Sequence, residues 1–179
     1  AVGDTVYGQA NVVAGNSGAF AELAVTKTEQ VAKAPANLSI TDAASLPLVG
    51  VSALQALTDH LELKDGEKIF IHGGGGGIGS VAIQIAKHLG AHVTTTATGE
   101  DIAYVSNLGA DEVIDYKAQD FSTELKGFDK VFDTVGGDDF TKALAILKPG
   151  GVAVSMIAEA DEARANELKV TAIHQFTQV

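Results

Sequence analysis

The sequence predicts an α/β chain whose main body is a doubly wound, mainly parallel sheet of six strands. Two observations carry this expectation. From about Asp65 onward, short β-rich apolar runs alternate with segments of helical period, the pattern of βαβ units. The first unit also has a run of five glycines, Gly73–Gly77, set between an apolar strand and a helix. Glu67–His72 is the first strand. Gly77–Leu89 is the first helix: Ile78, Val81, Ala82, Ile85, Ala86 and Leu89 share one face, and Gly90 follows as the C′ residue. His92–Ala97, β-branched from Val93 to Thr96, is the second strand. Glu100–Leu108 is a helix ending at Gly109, Glu112–Tyr116 the third strand, and Gln119–Leu125 a short helix or turn. Lys130–Val135 is the fourth strand. Asp138–Leu147 is a helix with Phe140, Ala143, Leu144 and Leu147 on one face, stopped by Lys148-Pro149-Gly150. Val152–Ile157, the helix Asp161–Leu168 and Val170–Phe176 complete the series.

The first 65 residues read differently. Val2–Gly8 and Ala19–Val25 read as strands around a Gly/Asn-rich loop, and Pro35-Ala36-Asn37 as a turn. Thr41 is placed to cap a short helix, and Pro47 to start a second one reaching about Leu61. Two lone strands do not make a stable sheet, so this segment reads as part of a second domain.

Composition narrows the function. The chain has 179 residues, 46% of them hydrophobic, enough to build a core. Its 23 acidic and 12 basic residues give a net charge of −11, which argues against nucleic acid and against an anionic membrane surface as partners. There are no cysteines, so disulfides, thiolate zinc sites and a cysteine nucleophile are excluded. The five histidines, His60, His72, His88, His92 and His174, lack metal-ligand spacing, and no metal is expected. No apolar run of membrane-spanning length and no signal peptide are visible, and a cytoplasmic location is expected.

The glycine run carries the chemistry. It would bring a helix N-terminus, with unpaired N–H groups and the positive end of its dipole, to the end of a strand. Gly74-x-Gly76-x-x-Gly79 fits the dinucleotide fingerprint, in which glycines let a pyrophosphate approach the backbone. The run also fits a Gly-x-x-x-Gly-x-Gly pattern, Gly73, Gly77 and Gly79, of short-chain dehydrogenases. Those need Tyr-x-x-x-Lys, and the residues four after Tyr7, Tyr104 and Tyr116 are Asn11, Leu108 and Asp120. A methyltransferase would end its second strand on an acid, where this chain has Thr94-Thr95-Thr96-Ala97-Thr98.

Ordered segments along most of the chain resemble one family. They are Gly3-Asp4-Thr5-Val6-Tyr7-Gly8, Gly18-Ala19-Phe20-Ala21-Glu22, Pro35-Ala36-Asn37-Leu38-Ser39 and the stretch Ala43–Leu57. Further on come Gly66–Gly73, Leu108–Tyr116, Asp133-Thr134-Val135-Gly136-Gly137 and Leu147–Gly151. On these segments the chain is similar to the zinc-independent medium-chain dehydrogenase/reductases of the quinone oxidoreductase, ζ-crystallin-like branch. The resemblance implies a Rossmann domain over residues 41–179 and part of a GroES-like catalytic domain over residues 1–40. It also implies a chain truncated at both ends, since relatives carry a further N-terminal stretch and a C-terminal return.

The resemblance implies site residues too. Gly76, Gly77 and Ile78 would meet the pyrophosphate, and Ser52 would touch the cofactor. Thr98 and Tyr116 would flank the adenine ribose, while Thr134, Val135 and Gly136 would line the nicotinamide side. His72 reads as structural at the strand–turn junction, Glu22 as a solvated strand residue, and no catalytic acid is assigned. The missing acid at the second strand end favours NADPH. The acidic Glu100 and Asp101, where relatives often have lysine, speak against a 2′-phosphate and keep NADH open. The expected activity is zinc-independent hydride transfer to a small-molecule quinone or α,β-unsaturated carbonyl; the alternative is a non-catalytic dinucleotide-binding module. The resemblance also implies a homodimer joined through the strand at residues 170–176.

Overall fold

Two strands carry the architecture. Lys68–His72 (β3) and Phe128–Asp133 (β6) lie side by side and parallel at the middle of a six-stranded sheet. The structure, a computed structural model, describes every residue except Asn11, Val13, Ala14, Ala160 and Val179. It forms two compact units, one of Ala1–Val51 with the residues from Thr177 onward, the other Ser52–Phe176.

In the larger unit β3 leads through a helix, Gly77–His88 (α2), to His92–Ala97 (β4), then through Asp101–Asn107 (α3) to Glu112–Asp115 (β5). After Phe121–Glu124 (α4) the chain returns to β6 on the other side of β3. It then steps outward through Asp138–Leu144 (α5), Leu147–Ser155 (β7) and Glu162–Leu168 (α6) to Thr171–His174 (β8). The strand order is β5-β4-β3-β6-β7-β8 and every pairing is parallel, so the sheet is doubly wound as the sequence predicts. The order reverses direction between β3 and β6. Their C-terminal ends, where His72 pairs with Asp133, therefore form the switch point at which open α/β sheets leave a crevice.

Alternation along β3 divides the core. Ile69 and Ile71 face one apolar layer with Ala82, Ile83, Val93, Leu57 and Leu61. Phe70 faces the other with Phe121, Phe128, Phe140 and Leu144. Its ring meets Phe121 at a centroid distance of 4.9 Å and Phe128 edge-on at 6.1 Å. His72 follows Phe70 by two residues and lies on the aromatic side, 5.0 Å from the Phe121 ring.

Several expected boundaries move. The segment 148–150, expected as a helix stop, lies within β7, and α5 ends at Leu144. A register shift opposite Phe128 and Lys130 absorbs the proline and glycines there. The sixth strand is the shorter Thr171–His174.

In the smaller unit Val6–Gly8 (β1) pairs antiparallel with Val31–Lys33 (β2). Ala19–Val25 is a series of bends, not the expected strand. The β1 ladder is taken by β2, and neighbours of this segment are tied by side chains: Val25 N–H donates to Ser17 Oγ at 2.7 Å, and Thr26 Oγ1 donates to the Gln9 carbonyl at 2.8 Å. Ile40–Gln55 (α1) is one helix where two were expected. Its start is held by Ser39, not Thr41: Asp42 N–H donates to Ser39 Oγ at 3.1 Å, and Ser39 Oγ donates to the Asp42 carboxylate at 2.7 Å. Pro47 removes one helical donor without ending the helix, which continues into a π turn at Ala56–His60. Ile40–His60 is long and apolar enough to cross a membrane by length and composition alone, but Ala53, Ala56 and Leu57 are fully buried in the core.

Candidate functional site

The glycine turn joins β3 to α2. Gly73 has φ +89°, and a Cβ there would lie 2.6 Å from Thr134 Oγ1. Gly79, in the first turn of α2, packs directly on the Gly73 carbonyl, leaving no room for a side chain. Gly74 is buried, its N–H donating to the Thr96 carbonyl at 3.1 Å. Gly76 caps α2 with no side chain, so the N–H groups of Gly77 and Ile78 have neither cap nor intrahelical acceptor. Gly76 and Gly77 are exposed and Ile78 is half-buried.

This helix start opens on a cleft of about 580 Å3. Gly73, Gly75, Gly76 and Asp101 form one wall, and a Cβ on Gly75 would lie 2.9 Å from Asp101 Oδ2. His72 and Thr96 form part of the floor. Tyr116, Gln119, Asp120 and Phe121 follow β5, while Val135, Asp139 and Lys142 come from beyond β6.

A buried polar network shapes the loop after β6. The Asp133 carboxylate is fully buried, accepts from Val135 N–H at 3.2 Å and Gly136 N–H at 3.1 Å, and receives the Ser155 hydroxyl at 2.6 Å. Ser155 Oγ in turn accepts from Ile157 and Ala158 N–H groups, so β6 and β7 fix one another's C-terminal loops. Thr134 Oγ1 donates to the His72 carbonyl at 2.8 Å, tying this loop to the end of β3.

His72 is buried, and burial holds its pKa below the ordinary imidazole range against the upward pull of Asp133 and Asp139. Nδ1 lies 2.8 Å from Thr96 Oγ1, which also accepts from Gly73 N–H at 2.9 Å. Nε2 has no hydrogen-bond partner; Asp139 Oδ2 stands 3.7 Å away. Asp139 holds Lys142 at 2.7 Å.

Of the residues singled out by sequence, Gly76, Tyr116 and Val135 line the cleft. Gly74, Gly77, Ile78, Gly79, Thr134 and Gly136 belong to the turn, helix start and loop that frame it. Thr98 is half-buried just past β4, its carbonyl accepting from Asp101 N–H at 3.2 Å, and does not line the cleft. Ser52 is fully buried in α1, its carbonyl receiving Gln175 Nε2 at 3.1 Å, and is also outside the lining. Sequence reading did not single out Gln119, Asp120, Phe121, Asp139 and Lys142. For Gln119, Asp120 and Phe121 the available signal was position just after β5; Asp139 and Lys142 lie on α5 and carried none.

The turn and cleft fit a dinucleotide: uncapped helix N–H groups suit a pyrophosphate, and a side chain at Gly73 or Gly79 would press on Thr134 or on the turn's own backbone and distort it. The donor set does not fit zinc. Cysteine is absent from the sequence, and among the described residues no three His, Asp or Glu side chains converge as metal ligands.

Known proteins agree with this architecture. The family model described as zinc-binding dehydrogenase matches residues 77–177. The mitochondrial NAD(P)H oxidoreductase RTN4IP1 of Bos taurus is 39% identical over 153 residues, 82% of this chain and 38% of the relative. An alcohol dehydrogenase superfamily protein from Novosphingobium aromaticivorans superposes with a TM-score of 0.89 at 38% identity, covering 99% of this chain and 56% of that structure. The quinone oxidoreductase of Coxiella burnetii superposes with a TM-score of 0.78 at 35% identity, covering 84% and 49%. The chain thus spans about two-fifths of the bovine relative and about half of these structures. With the family model matching more than half of its residues, the chain belongs to the zinc-binding dehydrogenases, within the medium-chain dehydrogenase/reductase family.

Proposed function

We propose that the protein is an oxidoreductase that reduces a quinone or an α,β-unsaturated carbonyl with NADPH and without zinc. One observation carries the reading: the uncapped start of α2, with its N-cap Gly76 lining it, borders a cleft at the switch point of a doubly wound sheet. The bound nicotinamide would supply the hydride. This chain would bind and orient it. Gly76, Gly77 and Ile78 would take the pyrophosphate, with Gly74 and Gly79 shaping the turn. Thr98 and Tyr116 would flank the adenosine ribose, and Thr134, Val135 and Gly136 the other half, with Ser52 supporting from α1. The bovine and Coxiella relatives, an NAD(P)H oxidoreductase and a quinone oxidoreductase by name, support the cofactor and acceptor classes.

NADH is the second reading, favoured by one observation: the Asp101 carboxylate lies against the glycine turn, where it would repel a 2′-phosphate and accept from a ribose hydroxyl. Calorimetric titration with each cofactor separates the two. Adding a quinone or enone and following loss of reduced-nicotinamide absorbance tests the activity. Binding without hydride transfer to any acceptor would instead mark a non-catalytic module, and absence of both would reject the proposal. We further propose a cytoplasmic location, although the bovine relative is mitochondrial by name, and a homodimer through the β8 edge, which a monomer by sedimentation would rule out.

A further inference from the structure

We infer that His72 is a cofactor-contacting residue: its Nε2–H donates to an uncharged acceptor, a ring nitrogen or ribose hydroxyl, on the adenosine half of the dinucleotide. The inference rests on the proposal that the cleft holds a dinucleotide. It starts from the tautomer. Thr96 Oγ1 accepts the Gly73 N–H at 2.9 Å; among the described residues the acceptor beside its own hydrogen is His72 Nδ1 at 2.8 Å, and satisfying that buried hydroxyl assigns the hydrogen to Nδ1. A ring nitrogen that accepts leaves the proton on the other nitrogen, so the imidazole carries it on Nε2.

That donor is buried and unsatisfied. Nε2 has no partner, the ring is 4% exposed, and Phe70 and Phe121 hold it at 5.7 and 5.0 Å. Asp139 Oδ2, at 3.7 Å, is beyond bonding distance, and its carboxylate is engaged by Lys142. Buried donors without acceptors are rare in native proteins, and this one borders a cleft.

Charge fixes the kind of acceptor. Asp101, Asp120 and Asp139 line the cleft, and Lys142 is its one lysine or arginine among the described residues. Burial lowers the pKa of the imidazole and favours its uncharged form. A phosphate belongs at the start of α2 rather than beside Asp120 and Asp139, so Nε2–H meets an uncharged group. The side of the cleft chooses the half of the cofactor. The cleft runs from His72 one way to Val135, Asp139 and Lys142 beyond β6 and the other way to Tyr116, Gln119 and Asp120 after β5; the ring lies 5.0 Å from that of Phe121, on the β5 flank where such sheets hold adenosine.

The test follows the histidine nitrogens by 15N NMR in the unmutated chain, adding NADPH, AMP and nicotinamide mononucleotide separately. The free chain should show the Nε2–H tautomer. NADPH and AMP should shift that resonance and slow exchange of its proton, whereas nicotinamide mononucleotide should leave it in place. Two variants separate binding from structure. His72→Asn keeps an acceptor for Thr96 but lacks Nε2, and should weaken NADPH roughly five- to tenfold. His72→Gln places an amide near Nε2 and should stay within about twofold of wild type. An unresponsive Nε2 resonance, a response to nicotinamide mononucleotide instead of AMP, or unchanged affinity in a folded His72→Asn overturns the inference and leaves the dinucleotide reading standing. A wild-type chain that binds neither NADPH nor NADH overturns both. Should His72→Asn fail to fold, the labelled wild-type spectrum decides alone.

Discussion

Replacing Gly79 with alanine should damage the turn, although alanine is the better helix former. The new Cβ would press on the Gly73 carbonyl oxygen, with the Gly73 carbonyl carbon and Gly74 Cα both at 2.9 Å. All three are backbone atoms of the turn itself, so relief requires moving it. Overpacking of this kind costs about 1–3 kcal/mol, and removing a helical glycine returns about 1 kcal/mol at most. The net is a loss of up to about 2 kcal/mol, a fall in Tm of up to roughly 8 °C at this chain length. Displacing the helix-start N–H groups should also raise the Kd for NADPH by on the order of tenfold, the loss of one charge-assisted bond. Gly50→Ala in α1 is the control. Its Cβ would find only Leu46 Cβ, at 4.0 Å, an ordinary contact. That variant should gain about 0.5–1 kcal/mol and melt roughly 1–4 °C higher. Thermal melts and calorimetric titration of both variants suffice. If Gly79→Ala melts as high as Gly50→Ala and binds NADPH normally, the close approach of helix and turn is not what requires glycine there.

Three further outcomes are expected. Asp133→Asn turns an amide toward the N–H groups of Val135 and Gly136 or the hydroxyl of Ser155, and should cost about 2–3 kcal/mol by denaturant midpoint. Asp101→Lys should move the ratio of NADPH to NADH affinity toward NADPH by on the order of tenfold, with the gain shrinking in high salt. Acid should destabilise the larger unit through Asp111 and Asp129. Burial alone would raise both, but Lys87 and the Val93 N–H hold Asp111 low, and the Lys68 N–H with Lys148 holds Asp129 low. Their folded pKa values lie below the unfolded ones, so their contribution is present above about pH 4 and is lost as pH falls through the folded values. A melting temperature unchanged from neutral pH down to about pH 3 would contradict this.

The sheet was legible because its strands and helices carry their own periodicity. β4 matched its expected span because Val93–Thr96 is β-branched and buried throughout. Ala19–Val25 failed because a β-like run becomes a strand only with a partner, and β1 pairs with β2. Lys148-Pro149-Gly150 carries the usual signals of a helix stop, yet a bulge takes these residues into β7, a choice set by tertiary register. The glycine turn at the start of α2, where we propose the pyrophosphate binds, was legible because glycine patterns encode it locally. The far wall of the cleft was not: Asp139 and Lys142 are unremarkable helix residues until α5 carries them to the cleft, and the free nitrogen of His72 emerges only when β4 places Thr96 beside it.

The pairing of β3 with β6 also governs when the crevice can exist. The Lys68 N–H donates to the Asp129 carboxylate across 61 residues of chain, and the β3–β6 ladder lies next to that contact, from Ile69 opposite Lys130 to His72 opposite Asp133. A growing or refolding chain can close the local β3–α2–β4 unit early, since its contacts are near in sequence, whereas the loop to β6 must close against a larger entropy. The glycine turn would thus be built before its opposite wall. A dinucleotide would meet a half-formed groove until that late step, and would act on folding as a latch over the finished sheet, slowing its opening more than hastening its assembly.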